Sequence, residues 1–314
     1  MLIIPESEEY SNEDQSFFLS DLWCYVHGTG LKKMSIYKSA KDENPIAQFT
    51  CFSYRRAGFE AIITPPKAPH CGLQFFHRTE KRVSRKTDEK RALRAMAEYF
   101  RKKHPSAHLD LSLPPDILDI QPFKEADFDH DVSYTYLLEL EGKTDGDLLS
   151  EMSGERRKNI KDGLKQNLEV KLNPPWKPAI DLIETTLKAQ GVEPHTPVLT
   201  RLVEGGSDRV FTVGVYSGDK LQSVAVIACD WQKAYYLAGG TTKTATQPGA
   251  LVLWMAILES KKRGVRYFDF CGSSNPSIEK FFRGFGGELT PYFRIISVNA
   301  VFDLLQNAKR KLRK

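Results

Sequence analysis

The chain has 314 residues, 41% of them hydrophobic and 27% charged, with a net charge of +5. That balance excludes a disordered or fibrous chain, and the length is enough for two domains that each bury a core. Five cysteines (Cys24, Cys51, Cys71, Cys229 and Cys271) are odd in number and include no C-x-x-C pair, so they point to neither a disulfide framework nor a metal site.

The first sixteen residues carry glutamates where a signal peptide needs basic residues, and the longest apolar run, 250–258, is about half a membrane span. A cytoplasmic protein with no integral membrane segment is expected. Phe17 to Tyr25 predicts one or two short amphipathic helices. Residues 33–37, 45–54 and 59–63 predict an antiparallel meander, and 64–72 a proline-rich loop. Residues 81–103 hold ten basic and three acidic residues. The apolar stripe Leu93, Met96, Ala97, Tyr99 and Phe100 places a helix from Asp88, with a positive outer face that suits solvent or phosphates. Residues 108–112 follow as a strand with Asp110 at its centre, 115–123 as a turn and short helix, and 134–140 as another strand.

The second half opens on a helix predicted over 145–167, whose E-R-R-K-N-I-K stretch clusters Arg156, Arg157 and Lys158. A strand (168–172), a stiff N-P-P-W-K-P connector (173–178) and helices over 181–190 and 198–204 come next. Strands over 210–216, 221–229 and 234–237 form a second meander, with a two-residue hairpin turn in S-G-D-K. A Thr- and Gly-rich loop over 238–247 leads to a helix over 248–262.

From Gly264 to Tyr292 the sequence is denser in signals. Residues 266–271 form an aromatic-rich strand interrupted by Asp269, a carboxylate that needs a partner if it is buried. Asn275 followed by Pro276 starts a helix, a cap worth about 1 kcal/mol. Ile278, Phe281, Phe282 and Phe285 make its apolar face, and Gly284, Gly286 and Gly287 end it.

The order meander, loop, helix, strand with a central Asp, short helix, strand occurs twice, which divides the chain into residues 1–133 and 134–314. With R-R-K-N-I-K (156–161), the 248–264 helix, Y-F-D-F-C-G and F-F-R-G-F-G (281–286), this repeat resembles the FemABX-like group of aminoacyl and acyl transferases, tandem members of the GNAT acyltransferase superfamily. The resemblance implies an α+β fold of two tandem GNAT-like domains, each a mainly antiparallel sheet flanked by helices. It also implies acyl or aminoacyl transfer to an amine acceptor on a cell-wall (cell-envelope) precursor, with aminoacyl-tRNA or acyl-CoA as donor co-substrate. No tightly bound cofactor and no metal are implied.

In such a fold the donor lies between two splayed central strands, its phosphates on a helix N-terminus. The matching turn supplies Thr241, Thr242, Lys243, Gln247 and Gly249 as donor-binding candidates. It departs from the usual acyl-CoA signature, because Pro248 has no amide to donate. Both donors therefore stay open. Arg283 stands where the family's F-K-x-x-F-G motif has lysine; its fixed charge suits clamping an anion rather than moving a proton. Asp269 is the second catalytic candidate, able to orient Arg283, position the amine or pair with Arg266, and equally a structural carboxylate. Arg156, Arg157, Lys158, Tyr236, Ser273, Asn275 and Phe282 are the acceptor-binding candidates. Two other readings remain: an acyl-CoA N-acyltransferase, and a non-catalytic module holding RNA or an anionic lipid. The basic tail Lys309 to Lys314, behind Val301, Phe302, Leu304 and Leu305, suits peripheral membrane contact or plain solvation.

Overall fold

The computed structural model describes residues 14–298 apart from 57, 167, 243–245 and 273–274. In chain order its elements are α1 (Asp21–His27), β1 (Leu31–Ile36), β2 (Ala47–Arg56), β3 (Phe59–Ile63), β4 (Gln74–Phe75), α2 (Arg82–Lys103), β5 (His108–Ser112), α3 (Gln121–Glu125), β6 (Asp129–Glu139), α4 (Asp145–Glu151) and α5 (Gly154–Lys165). These are followed by β7 (Leu168–Leu172), α6 (Trp176–Ala189), α7 (Thr196–Glu204), β8 (Val210–Ser217), β9 (Lys220–Cys229), β10 (Lys233–Thr241), α8 (Thr246–Lys262), β11 (Tyr267–Asp269), α9 (Pro276–Arg283) and β12 (Glu288–Ser297).

Two compact units result: residues up to 133 together with those from 291 onward, and residues 134–290. In the first, β1, β2 and β3 form the expected antiparallel meander, β5 joins β3 in parallel, and β12 closes the order antiparallel to β5. Ala92, Leu93, Met96, Ala97 and Phe100 of α2 pack on Phe49, Ile62, Leu109 and Ile295 of that sheet. In the second, β8, β9 and β10 form the meander, β11 joins β10 in parallel, β6 closes the order antiparallel to β11, and β7 lies outside β8. Leu251, Trp254 and Ile257 of α8 pack with Phe211, Val213, Phe268 and Phe270.

The two halves thus repeat one plan, with a strand, helix and parallel strand after each meander. The closing strands trade places: β6, the last strand of the first repeat, pairs with β11, and β12, the last of the second, pairs with β5.

Some expected boundaries shift. The helix expected over 145–167 breaks at Met152–Ser153, where Ser153 caps α5 through Arg156 N and Thr144 builds a capping box on α4. The connector over 173–178 is helical from Trp176, with prolines tolerated in the first turn. The short helix expected over 115–123 forms at Gln121–Glu125, and α2 begins six residues before Asp88. The loop expected over 238–247 is strand as far as Thr241. Its glycines serve packing: a Cβ at Gly240 would stand 2.8 Å from the backbone of Leu182 and Ile183 in α6.

Candidate functional site

β10 and β11 pair over Lys233↔Tyr267, Ala234↔Phe268 and Tyr235↔Asp269, and then part. β11 stops because Cys271 (φ 58°) and Gly272 (φ 68°) both take the left-handed conformation, which disfavours a non-glycine residue by about 1 kcal/mol. β10 continues on β9 through a bulge at Leu237, between the pairs Tyr236↔Ile227 and Ala238↔Val226. A bulge bends and twists its strand. Among the described residues no strand pairs with β10 on this side beyond Tyr235, so a wedge opens between β10 and the turn that follows β11.

Side chains leave a strand alternately to its two faces. On the face of Phe268 and Phe270 stands an aromatic group that joins two of the motifs to β10. Phe282 of α9 packs edge-on against Tyr236 (5.6 Å between centroids) and tilted on Phe270 (5.3 Å). Burial pushes the Tyr236 phenol well above its ordinary pKa, so it is a neutral hydrogen-bond donor at physiological pH. Gly239 gives it room, since a Cβ there would lie 1.8 Å from its hydroxyl.

Arg283 lies on the solvent side of α9, its Nε donating to Glu279 Oε1 at 3.0 Å. The same carboxylate oxygen accepts from the Tyr136 hydroxyl at 2.5 Å. Burial, and then the bond to Glu279, raises the Tyr136 pKa. Neither Glu279 nor Tyr136 was a sequence candidate; the i,i+4 spacing of Glu279 and Arg283 was a readable signal, whereas Tyr136 is 143 residues from Glu279 in the chain.

The three basic residues at the start of α5 part ways. Arg156 turns inward, 4% exposed, its guanidinium 4.6 Å from the Phe281 ring centroid and bonded to Glu155 at 2.8 Å. Its Nε and Nη1 groups are buried without an acceptor. Gly284 makes this fit possible, because a Cβ there would meet Arg156 Cγ at 2.7 Å. Arg157 instead binds the carbonyls of Ser150 and Met152 at the α4–α5 junction. Lys158 is exposed. Gly286 and Gly287 bring the end of the motif against Glu151 and against Tyr136–Leu137, each within 3.3 Å of a built Cβ. Of the glycines of F-F-R-G-F-G, Gly284 thus meets the basic helix α5 and Gly286 the end of α4.

Asp269 leaves the sheet on the other face. It is 1% exposed, and its Oδ1 accepts from Thr135 Oγ1 (2.6 Å) and Cys271 N (2.7 Å), while Gly272 N donates to Thr135 Oγ1 (3.0 Å). Burial raises its pKa against these bonds. Neither arginine considered for it is its partner: Arg266 pairs with Glu139 and Glu141, and Arg283 with Glu279. Burial also raises the Cys271 thiol well above its usual range, which leaves it a poor nucleophile.

The donor candidates are tied into the fold. Thr241 N donates to Thr186 Oγ1 at 3.1 Å, its hydroxyl donates to Gln222 O at 3.4 Å, and Thr242 Oγ1 donates to Gln222 Oε1 at 3.1 Å. Gln247 and Gly249 occupy the first turn of α8. Asn275 caps α9, accepting from Ser277 N at 2.9 Å. Lys243, Ser273 and the basic tail lie outside the described residues. Among the described residues no helix is long and apolar enough to cross a membrane.

A family model, that of the GNAT acetyltransferase domain, matches residues 175–283, the segment that holds the wedge and α9. No curated protein sequence matches the chain. A crystal structure of FemX aligns with a TM-score of 0.64 at 13% identity, covering 94% of this chain and 95% of that one. L-PGS from Bacillus licheniformis gives 0.56 at 9% identity, covering 96% and 98%. A C-terminal domain described as that of a lysylphosphatidylglycerol synthetase, from Agrobacterium fabrum, gives 0.53 at 11% identity, covering 84% and 85%. These likenesses extend over most of the chain and bear out the tandem α+β architecture.

Proposed function

We propose that this chain, a FemABX-like acyltransferase of the GNAT superfamily, moves an aminoacyl group from aminoacyl-tRNA to an amine on a cell-envelope precursor. The wedge between β10 and β11 carries the reading. An aminoacyl ester seated in the wedge offers its α-amino group to backbone carbonyls of β10 and brings its carbonyl carbon to the bulge. The amine nitrogen attacks that carbon, a C–N bond forms and the C–O bond to the ribose breaks. The amine's proton is released to a base, and the departing ribose oxygen takes up a proton. The neutral Tyr236 hydroxyl is suited to donate to the carbonyl oxygen or to the leaving oxygen. Arg283, held by Glu279, supplies fixed positive charge, and the exposed ammonium of Lys158 suits an anionic group of the acceptor.

Two observations favour a tRNA ester over acyl-CoA. The pyrophosphate of CoA needs free amides at the start of α8, where Pro248 has none, and the hydroxyls of Thr241 and Thr242 are already engaged. Acyl-CoA is the second reading, supported by the acetyltransferase family model. A non-catalytic module for an anionic ligand is the third.

The test offers labelled aminoacyl-tRNA and acyl-CoA in parallel to the purified protein with amine-bearing envelope precursors. Label is expected to move from the tRNA. Arg283→Ala is expected to lower kcat/KM by about 10²-fold with unchanged thermal melting, because the side chain is 60% exposed. Transfer from acyl-CoA alone reverses the donor assignment. Binding of both donors without transfer favours the third reading.

A further inference from the structure

The outer surface of α2 breaks several rules of helix stability at once. From Arg82 to Arg91 the helix buries no side chain; its core contacts begin at Ala92. It has no side-chain cap and no acidic residue in its first turn, where Arg82 and Arg85 stand against the positive end of the macrodipole. A helix start that adds no residue to the core, and with cations at the wrong end, is locally unfavourable, and such conflicts gather where a surface serves a ligand.

The charges are also ordered. Arg82, Lys86, Lys90 and Arg94 recur every fourth residue, which aligns them in one row along about 18 Å of helix. With Arg91 they bound a shallow groove of about 490 Å³ whose remaining lining is Val83 and Thr87. No acidic residue lines it. The acids within reach lie beside it: Lys90–Asp119 at 3.9 Å and Arg94–Glu125 at 2.6 Å are exposed pairs, while Lys86–Glu89 at 2.6 Å and Arg91–Asp88 at 4.0 Å join exposed cations to carboxylates that are only 16% exposed. The exposed pairs stabilise little and exchange readily for a phosphate.

We propose that this groove docks the phosphodiester backbone of RNA, namely the tRNA that carries the aminoacyl group, an inference that rests on the donor reading above. A row of cations along a groove matches a strand of regularly spaced phosphates and neutralises several of them with release of counterions. A lipid surface is the poorer occupant. Membrane-seated helices lay a broad apolar face into the bilayer, and here Val83 is the one apolar residue of the groove, while Ala92, Leu93, Met96, Ala97 and Phe100 are committed to the core.

The experiment measures binding of unfractionated tRNA to the full chain by fluorescence anisotropy across a salt series. The wild type is compared with Arg82→Gln/Lys86→Gln/Lys90→Gln, which removes three charges from side chains that lie outside the core. The expected result is a salt slope shallower by two to three units, about one per lost phosphate contact. Tenfold or greater weakening at low salt is also expected, with unchanged circular dichroism. Equal slope and affinity in the variant overturn the groove while leaving the donor reading intact. A wild type that binds no tRNA yet transfers from acyl-CoA sinks the donor reading and the groove with it. Vesicles of phosphatidylglycerol and phosphatidylcholine serve as the second probe. If the variant loses vesicle binding but keeps tRNA binding, the surface belongs to lipid and the proposal falls.

Discussion

Asp269 and Arg283 leave their elements on opposite faces of the second sheet, so they do not work as a pair, and each is testable alone. We assign Asp269 a positioning role: its Oδ1 ties Thr135 of β6 to the left-handed turn at Cys271. An Asn there retains an oxygen acceptor and removes the buried charge. Because burial raises the Asp269 pKa, the folded state binds its proton more tightly than the unfolded chain. The resulting stability is complete below the unfolded value of about 4 and is lost as pH rises through the higher folded value. Wild type is therefore expected to weaken from acid to neutral pH relative to Asp269→Asn, and the variant to melt no lower than wild type at pH 7 while retaining transfer. Asp269→Ala strands the Thr135 hydroxyl and the Cys271 amide and is expected to cost about 1–3 kcal/mol in denaturant titrations. Loss of transfer in a stably folded Asp269→Asn variant would restore a chemical role to the carboxylate.

At the scale of elements, β10 sets the geometry, and two adjacent glycines separate its tasks. In Gly239→Ala the new methyl meets the far end of the Tyr236 side chain, which can turn away; in Gly240→Ala it meets the backbone of α6, which cannot. Gly240→Ala is expected to lower stability by about 1–3 kcal/mol or more. Gly239→Ala is expected to shift stability less and transfer more, so that calorimetry and kinetics rank the two in opposite order. Strands with regular alternation were legible in the sequence: β5 and β7 fall where the pattern puts them, and Asn275 caps α9 as its Asn-Pro signature predicts. Less legible were features in which tertiary contact overrides local chemistry. Gly239 and Gly240 carry the composition of a loop yet sit in a strand against α6. Trp176 begins a helix within a proline run, and the bulge at Leu237 has no sequence mark. Arg156 and the F-F-R-G-F-G motif were each visible, but their contact depends on how α5 meets α9 and could not be read from either.

The whole molecule repeats one plan, and element order alone revealed it; a boundary drawn from that order does not see the exchange of closing strands. Ile295, in β12 near the end of the chain, is 1% exposed and packs in the core with Leu109, Leu111 and α2. Ile295→Ala is expected to cost about 2–5 kcal/mol and to accelerate amide exchange in β5 and α2, while β8 and β9 stay protected. Fast exchange in β8 and β9 instead would mean that the two units unfold as one. The exchange also sets a timetable for synthesis. Arg294 of β12 closes on Asp110 of β5 across 184 residues of chain, and at about 5–20 residues per second a ribosome takes roughly 10–40 s to make that stretch. Throughout that interval β5 is a nascent edge with one side unclaimed, open to pairing with any passing strand. The N-terminal unit, although translated first, is the one that finishes last.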